Sequence, residues 1–327
     1  VYKRQVAVVV GLAVGPAGLP LTDVTREILS HLPLLGVDSP LTETDRTILW
    51  EIRAPRVALG CIVGGMLAIA GGAYQGVLRN PLADPYLLGV AAGAGLGATL
   101  AIAYGPGGST NQIVVLSAFV GASLAVALAL LLAQSGGSGV TMLILAGVTV
   151  AAFLAAIQTF IQQQNTDVVQ DVYSWILGRL TVGGWDQVVM LLPYVAVSVL
   201  IILVFARTLD VLALGDDEAA SLGVRVRAVR LTVIAGATLG AAAAVSVAGL
   251  IAFVGLIVPH AVRLLVGARN ALVLPLSLAV GAGFLVLADV VARTALSPAE
   301  LPIGVVTAII GAPIFAVLLR AGRGGGM

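Results

Sequence analysis

Apolar runs about as long as a bilayer is thick recur from one end of this chain to the other. Each ends in a short segment where Arg, Asp, Asn, Pro and Gly gather. Ten such runs lie at about 6–20, 55–77, 86–105, 111–133, 142–163, 187–206, 229–248, 250–267, 271–292 and 303–320. An α-helix needs about 20 apolar residues to cross the hydrocarbon core, whereas a barrel strand needs about ten that alternate in polarity. The runs are continuous, so they predict helices, and the fold class is an all-α polytopic membrane protein with about ten transmembrane helices. The 327 residues form one transmembrane domain.

Composition closes off the alternatives. Only 10% of residues are charged against 59% apolar, and mean hydropathy is +1.09. A soluble domain carries roughly 25% charged residues, so a water-soluble globule is excluded and membrane lipid is the expected solvent. The 17 basic residues form no cluster dense enough to track a phosphate backbone, which excludes nucleic acid as a partner. The one cysteine, Cys61, sits in an apolar run and can build neither a disulfide nor a thiolate cluster within the chain. Packing is its expected role.

The chain opens at Val1 and its first apolar run is short for a span, so a truncated N-terminus is expected and Val-Tyr-Lys-Arg-Gln receives no function. Residues 22–32 begin with an N-cap candidate, Thr22, and carry apolar residues at helical spacing, which suits a short helix at the membrane surface or in an exposed loop. With ten spans, both ends lie on one side. Placing that side in the cytoplasm leaves eleven basic residues inside, from Lys3 and Arg4 through Arg320 and Arg323, against six outside. Both termini are therefore expected to be cytoplasmic. Clusters such as Gly64, Gly65, Gly71, Gly72 and Gly76, or Gly89, Gly93, Gly95 and Gly97, point to close helix packing.

Three stretches are more specific. Residues 51–89 read Glu-Ile-Arg-Ala-Pro-Arg, a Gly-rich span, then Gly-Gly-Ala-Tyr-Gln-Gly-Val-Leu-Arg-Asn-Pro-Leu-Ala-Asp-Pro-Tyr-Leu-Leu-Gly. The second runs Gly249-Leu-Ile-Ala-Phe-Val-Gly-Leu-Ile-Val-Pro-His-Ala-Val-Arg263, and the third has Ala288-Asp289, Arg293 and Glu300-Leu-Pro-Ile-Gly-Val-Val-Thr-Ala-Ile-Ile-Gly-Ala-Pro-Ile-Phe315. Together they resemble the FecCD family of BtuC-like ABC importer permeases, over nearly the whole chain. The resemblance implies a type II ABC importer fold. It also implies import of an iron-siderophore, haem or cobalamin, and membership of a homodimer with two ABC ATPase subunits and an extracytoplasmic binding protein. The implied location is the cytoplasmic (inner) membrane of a bacterium or archaeon.

The chain's own residues agree that energy comes from elsewhere. A G-x-x-x-x-G-K-[ST] loop needs a lysine on the β- and γ-phosphates, and the sole lysine is Lys3. The chain is not expected to be an enzyme or to hold a cofactor; ATP and Mg belong to the partner ATPase.

The resemblance places an ATPase-coupling segment within residues 207–230, at Leu214, Gly215, Asp216, Asp217, Glu218, Ala219, Ala220, Ser221, Leu222 and Gly223. Three acids suit a helix N-terminus there and Gly223 a stop. It places binding-protein docking at Arg53, Arg56 and Arg293, where guanidinium can grip carboxylate bidentately. The alternative is pairing within the chain, as of Arg293 with Asp289 at i, i+4. It places the cytoplasmic gate at Asn80 and Leu82 and at Val140 and Thr141, after the flexible Ser135-Gly-Gly-Ser-Gly139; a simple turn is the alternative. Val140 departs from the Thr-Ser or Ser-Thr pair frequent in the family.

His260, after Pro259, and Asp289 are ionisable groups inside apolar runs, and structural pairing is expected for both. Neither His31 nor His260 has a partner spaced for metal ligation, so no metal site is expected. The rival reading, an ion-gradient-driven secondary transporter, would need coupling carboxylates at mid-membrane. An intramembrane hydrolase would need a nucleophile with a base or an aspartate pair, and Asp289 stands alone in its run.

Overall fold

The computed structural model describes residues 2–15, 18–31, 39–106, 111–135, 139–180 and 184–324. Fifteen α-helices appear there in chain order. They are α1 (Tyr2–Ala13), α2 (Leu21–Ser30), α3 (Glu43–Thr47), α4 (Ala54–Leu78), α5 (Val90–Tyr104), α6 (Asn111–Ser135), α7 (Val140–Gln164) and α8 (Val169–Ile176). They continue as α9 (Trp185–Val204), α10 (Ala206–Leu212), α11 (Asp216–Ser221), α12 (Val226–Ala248), α13 (Val254–Val266), α14 (Asn270–Thr294) and α15 (Ile303–Gly324). No strand occurs among the described residues beyond one isolated bridge, Leu296 with Ala299.

Every apolar run becomes a helix, but not every helix crosses alone. Six are long and apolar enough to span: the continuous stretch Glu43–Leu78, α6 as Gln112–Ser135, α7, α9, α12 and α14. Val90–Tyr104, Val254–Val266 and Ile303–Leu318 are shorter apolar helices. The reasons are local. Gly89 at φ 89° separates α5 from a 3-10 turn at Pro85–Leu88, so α5 starts at Val90 rather than 86. Gly249 at φ 72° and Phe253 at φ 70° hold the chain out of helix until Val254, so α13 does not start at 250. The first helix stops at Ala13, short of 20, ahead of Gly15-Pro16 in the sequence.

The surface helix expected over 22–32 is α2, one residue earlier and ending at Ser30; Leu32 lies outside the described residues. Its N-cap is Pro20, not Thr22, whose hydroxyl instead donates to Asp23 Oδ1 at 3.1 Å. Residues 136–138 of the Ser/Gly stretch also lie outside the described residues.

The bundle is built around α4 and α12. In their most apolar windows 83% and 72% of residues are buried, against 28% in α7 and α9, whose outward leucines and valines suit lipid. Polar pins fix the centre, because a hydroxyl inside a bilayer needs a partner. Tyr74 Oη and Thr238 Oγ1 share a hydrogen bond at 2.6 Å between α4 and α12, and Ser198 Oγ donates to the Gly236 carbonyl at 2.6 Å between α9 and α12.

Close packing explains the glycines that matter most. A Cβ on Gly71 would lie 1.9 Å from the Gly255 carbonyl oxygen, and one on Gly93 would lie 2.3 Å from that of Gly121. Only a hydrogen fits at either crossing, α4 with α13 or α5 with α6.

Candidate functional site: charged clusters at the two ends of the bundle

The three arginines singled out in the sequence meet at one end of α4: Arg53 just before it, Arg56 in its first turn, and Arg293 on α14. Helix α3 runs through a π-helical stretch, Ile48–Arg53, directly into α4, and that turn aims Arg53 and Arg56 at α1 and α14. Arg56 Nη2 lies 2.8 Å and Nε 3.1 Å from Asp289 Oδ1, while Nη1 and Nη2 each lie 2.9 Å from an oxygen of Glu300. Arg293 Nε lies 3.4 Å from Asp289 Oδ2, and its Nη2 donates to the Gly11 carbonyl at 2.6 Å. Arg53 Nη1 donates to the carbonyls of Leu12 and Ala13 at 2.9 and 2.8 Å.

These contacts place the three arginines within the chain itself. Arg53 and Arg293 are each 3% exposed, so neither presents its guanidinium at the surface of this chain; both fasten the end of α1. Burial of Arg53 and Arg293 follows from the unused carbonyls at the end of α1, which accept charged donors in place of water. The Arg56 side chain keeps 14% exposure and Glu300 44%, so their pair is the part of the cluster that solvent reaches. Asp289 has the pairing role read from its spacing, with a second partner in Arg56.

Glu300 was within a recognised motif but had no assigned role. It lies between α14 and α15, where its hydrogen bonds from Arg56 hold its carboxyl below the ordinary value against an upward push from burial. The charges of Arg56 and Arg293 act in the same downward direction.

The α2–α3 region is fastened by Glu27, a buried carboxylate without a sequence signal of its own. Arg46 Nε lies 3.3 Å from its Oε2, and Trp50 Nε1 donates to its Oε1 at 3.0 Å. Burial raises this carboxyl, but hydrogen bonds from Ser39 and Trp50 and the charges of Arg46 and His31 outweigh it and hold it low.

The other end of α4 closes on Arg79, a left-handed residue at φ 48°. Asn80 follows and accepts from the Leu82 N–H through its Oδ1 at 2.9 Å, so Asn-Pro-Leu is a compact Asx turn. Asp84 then opens the 3-10 turn by accepting from the Tyr86 N–H at 2.8 Å. Leu82 is 47% exposed, and Thr141 is exposed in the first turn of α7 with Val140 half-buried beside it. The Pro85–Leu88 turn meets α7 two turns further on, where only Gly147 fits against the Leu87 carbonyl oxygen, 2.3 Å from the Cβ it lacks.

The segment over 214–223 forms the helix that its acids and glycine suggest. Gly215 at φ 137° starts α11, and Gly223 at φ 83° ends it. The Val224 N–H donates to the Ala219 carbonyl at 3.0 Å and the Gly223 N–H to that of Ala220 at 2.9 Å, the paired closure of a Schellman turn. Ala219 is fully buried while Leu214 and Leu222 are each 64% exposed, two apolar side chains flanking a six-residue helix.

Asp216 does more than favour a helix start. Its carboxylate binds Arg79 at 2.9 Å and Arg230 at 3.0 Å, joining α11 to the end of α4 and to α12. Just before it, Asp210 on α10 accepts from the Asn270 N–H at 2.6 Å and so caps α14. The short helices are thereby tied to three membrane helices, one of them adjoining the Asn80 turn.

His260 makes no ion pair among the described residues; its ring meets Phe315 edge-on at 6.4 Å, and its Nε2 is buried without a hydrogen-bond partner. The structural pairing expected of both residues is thus seen at Asp289 and not at His260.

Residues 5–321 match the FecCD transport family. The chain is 39% identical to an uncharacterized ABC transporter permease protein, YvrB, of Bacillus subtilis, over 98% of this chain and 92% of that one. It is 42% identical to the cobalamin import system permease protein BtuC of Halobacterium salinarum, over 85% and 74%. It is 37% identical to the iron(3+)-hydroxamate import system permease protein FhuB of Bacillus subtilis, over 96% and 80%. A solved structure described as an inward-facing conformation of a metal-chelate type ABC transporter superposes with a TM-score of 0.86 at 30% identity, covering 98% of this chain and 97% of the other. Fold, helix order and sequence thus agree along the length of the molecule, and this chain belongs to the FecCD transport family.

Proposed function

We propose that this permease works as a homodimer with two ABC ATPase subunits and one extracytoplasmic binding protein, in the cytoplasmic membrane of a bacterium or archaeon. Its cargo on this reading is an iron-siderophore, with haem or cobalamin as the alternative; permeases for an iron(3+)-hydroxamate and for cobalamin are both among its relatives. Both termini face the cytoplasm, ATP and Mg act on the partner, and this chain contributes no covalent chemistry.

In this arrangement the α11 end is cytoplasmic. Residues 214–223 seat in the ATPase, with the exposed Leu214 and Leu222 as the apolar contacts. ATP-driven movement of α11 passes through Asp216 to Arg79, and from Arg79 to the adjoining gate residues Asn80 and Leu82, which face Val140 and Thr141 across the path. The observation that carries the reading is that one carboxylate, Asp216, bridges the exposed short helix and the gate-bearing end of α4.

At the outer end Arg56 receives a carboxylate of the binding protein, and Arg53 and Arg293 hold the rim that presents it. The permeation path lies between the two protomers. The test is reconstitution in liposomes with the cognate ATPase and binding protein. Uptake of a ferric siderophore, haem or cobalamin should require ATP and all subunits. Accumulation by the permease alone under an ion gradient would overturn the reading in favour of a secondary transporter.

A further inference from the structure

A hollow of about 480 Å³ lies between α6, α7, α11 and α12 and is lined by Leu130, Leu143, Val226, Arg227 and Leu231. Beside it, the open face at the start of α12 carries Arg225, Val226, Arg227, Ala228 and Leu231. Arg227 therefore stands at the edge of a mainly apolar hollow that begins where a membrane helix begins.

Charge is arranged to match. Arg225 and Arg227 are exposed and form no ion pair among the described residues; Arg227 donates only to Gln134 Oε1, at 3.2 Å. Arg230 borders the hollow with its Nε buried and without a hydrogen-bond partner. Asp216 also borders it, but its carboxylate is engaged by Arg79 and Arg230. The first turn of α12 has no acidic residue and no side-chain cap, so its dipole adds to the positive field. On α6 the hollow is lined by Leu130, Ala133 and Gln134, and the same helix exposes Leu128, Leu131 and Leu132 as a lipid-facing surface does.

We propose that this is a binding site for an anionic glycerophospholipid, its phosphate held by the exposed Arg225 and Arg227 and an acyl chain in the hollow. Basic pockets between helices at a membrane face recognise acidic headgroups by this combination of charge and apolar length. An apolar hollow edged by exposed basic residues suits a lipid's acyl chain and acidic headgroup; a soluble protein surface would have to fill the hollow with apolar side chains.

The experiment is native mass spectrometry of the delipidated permease–ATPase assembly, titrated separately with phosphatidylglycerol, phosphatidylcholine and inorganic phosphate. Phosphatidylglycerol should saturate at one molecule per permease chain, and the double variant Arg225→Gln/Arg227→Gln should weaken it about thirtyfold, as loss of two interfacial charges implies. The Arg225→Lys/Arg227→Lys form, which keeps the charge, should retain it. Equal retention of phosphatidylcholine, or binding of inorganic phosphate alone at the same site, would overturn the proposal. So would a glutamine variant that keeps phosphatidylglycerol but loses the ATPase, since the arginines would then serve the protein partner.

Discussion

Arg56 grips Asp289 with two nitrogens at 2.8 and 3.1 Å, across 233 positions of sequence, and turns its other edge to Glu300. One guanidinium thereby ties α4 to α14 and to the connection before α15. The two carboxylates differ in environment, since Asp289 keeps 3% exposure and Glu300 44%.

That difference predicts unequal costs. Asp289→Asn leaves Arg56 and Arg293 short of their shared buried charge and should destabilise by about 3 kcal/mol, as for one broken partner of a buried pair. Glu300→Gln should cost less than about 1 kcal/mol, because its pair is solvent-screened. Thermal unfolding in detergent, with the wild type alongside, measures both; equal shifts in Tm would contradict the assignment of Asp289 as the buried anchor.

Glu300 also sets an acid limit on this contact. Its folded-state carboxyl lies below the ordinary value, so the bond contributes stability that is present above the unfolded pKa, about 4.3, and lost as pH falls through the depressed folded value. The Tm difference between wild type and Glu300→Gln should be constant from pH 7 to about pH 5 and shrink only as pH falls below the unfolded value of about 4.3. A difference that disappears near pH 6 would show that the pair does not hold the carboxyl low.

Docking makes a separate prediction from the same geometry. An incoming carboxylate cannot take both outer nitrogens of Arg56 until Glu300 releases them. Binding-protein affinity should therefore rise about two- to fivefold in Glu300→Gln and fall steeply in Arg56→Glu, the first figure reflecting a weak exposed pair. Affinity unchanged in Arg56→Glu would remove Arg56 from the docking surface.

At the opposite end, Asp216→Asn cuts both ion pairs of the short helix while leaving Leu214 and Leu222 free to seat in the ATPase. Subunit assembly should survive, ATP hydrolysis should continue, and transport per ATP should drop several-fold. Measuring uptake and hydrolysis on the same proteoliposomes checks this; an unchanged ratio would break the proposed connection from Asp216 to the gate.

Gly71→Ala should destabilise by about 1–3 kcal/mol or more, because its new carbon would meet backbone that cannot yield. Gly283→Ala is the control, since its nearest neighbour would be the Ala7 side chain at 3.8 Å. Thermal unfolding should separate the two variants clearly.

Much of the architecture was legible because membrane helices announce themselves one at a time. Each apolar run is a local signal, and all ten became helices. Ends were less legible: α5 and α13 begin late because Gly89 and Phe253 take left-handed conformations, which hydropathy does not register. Local charge spacing found Arg293 with Asp289, four residues apart on one helix face. It could not find Arg56 with Glu300, 244 positions apart, or Asp216 with Arg79, because those meetings depend on how α4 packs in three dimensions. The burial of Arg53 and Arg293 was not legible for the same reason: the carbonyls that bury them belong to α1.

The helix running from Glu43 to Leu78 is unbroken over 36 residues. At about 1.5 Å per residue it is about 54 Å long, well beyond the roughly 30 Å of hydrocarbon it must cross. Its two tips are thus parts of one push-rod, with Arg56 about 20 Å in from Glu43 and Arg79 just past the bottom. A tilt imposed at either tip is felt at the other without a relay of separate pieces, and the π-helical stretch above Arg53 is where such a rod would give first.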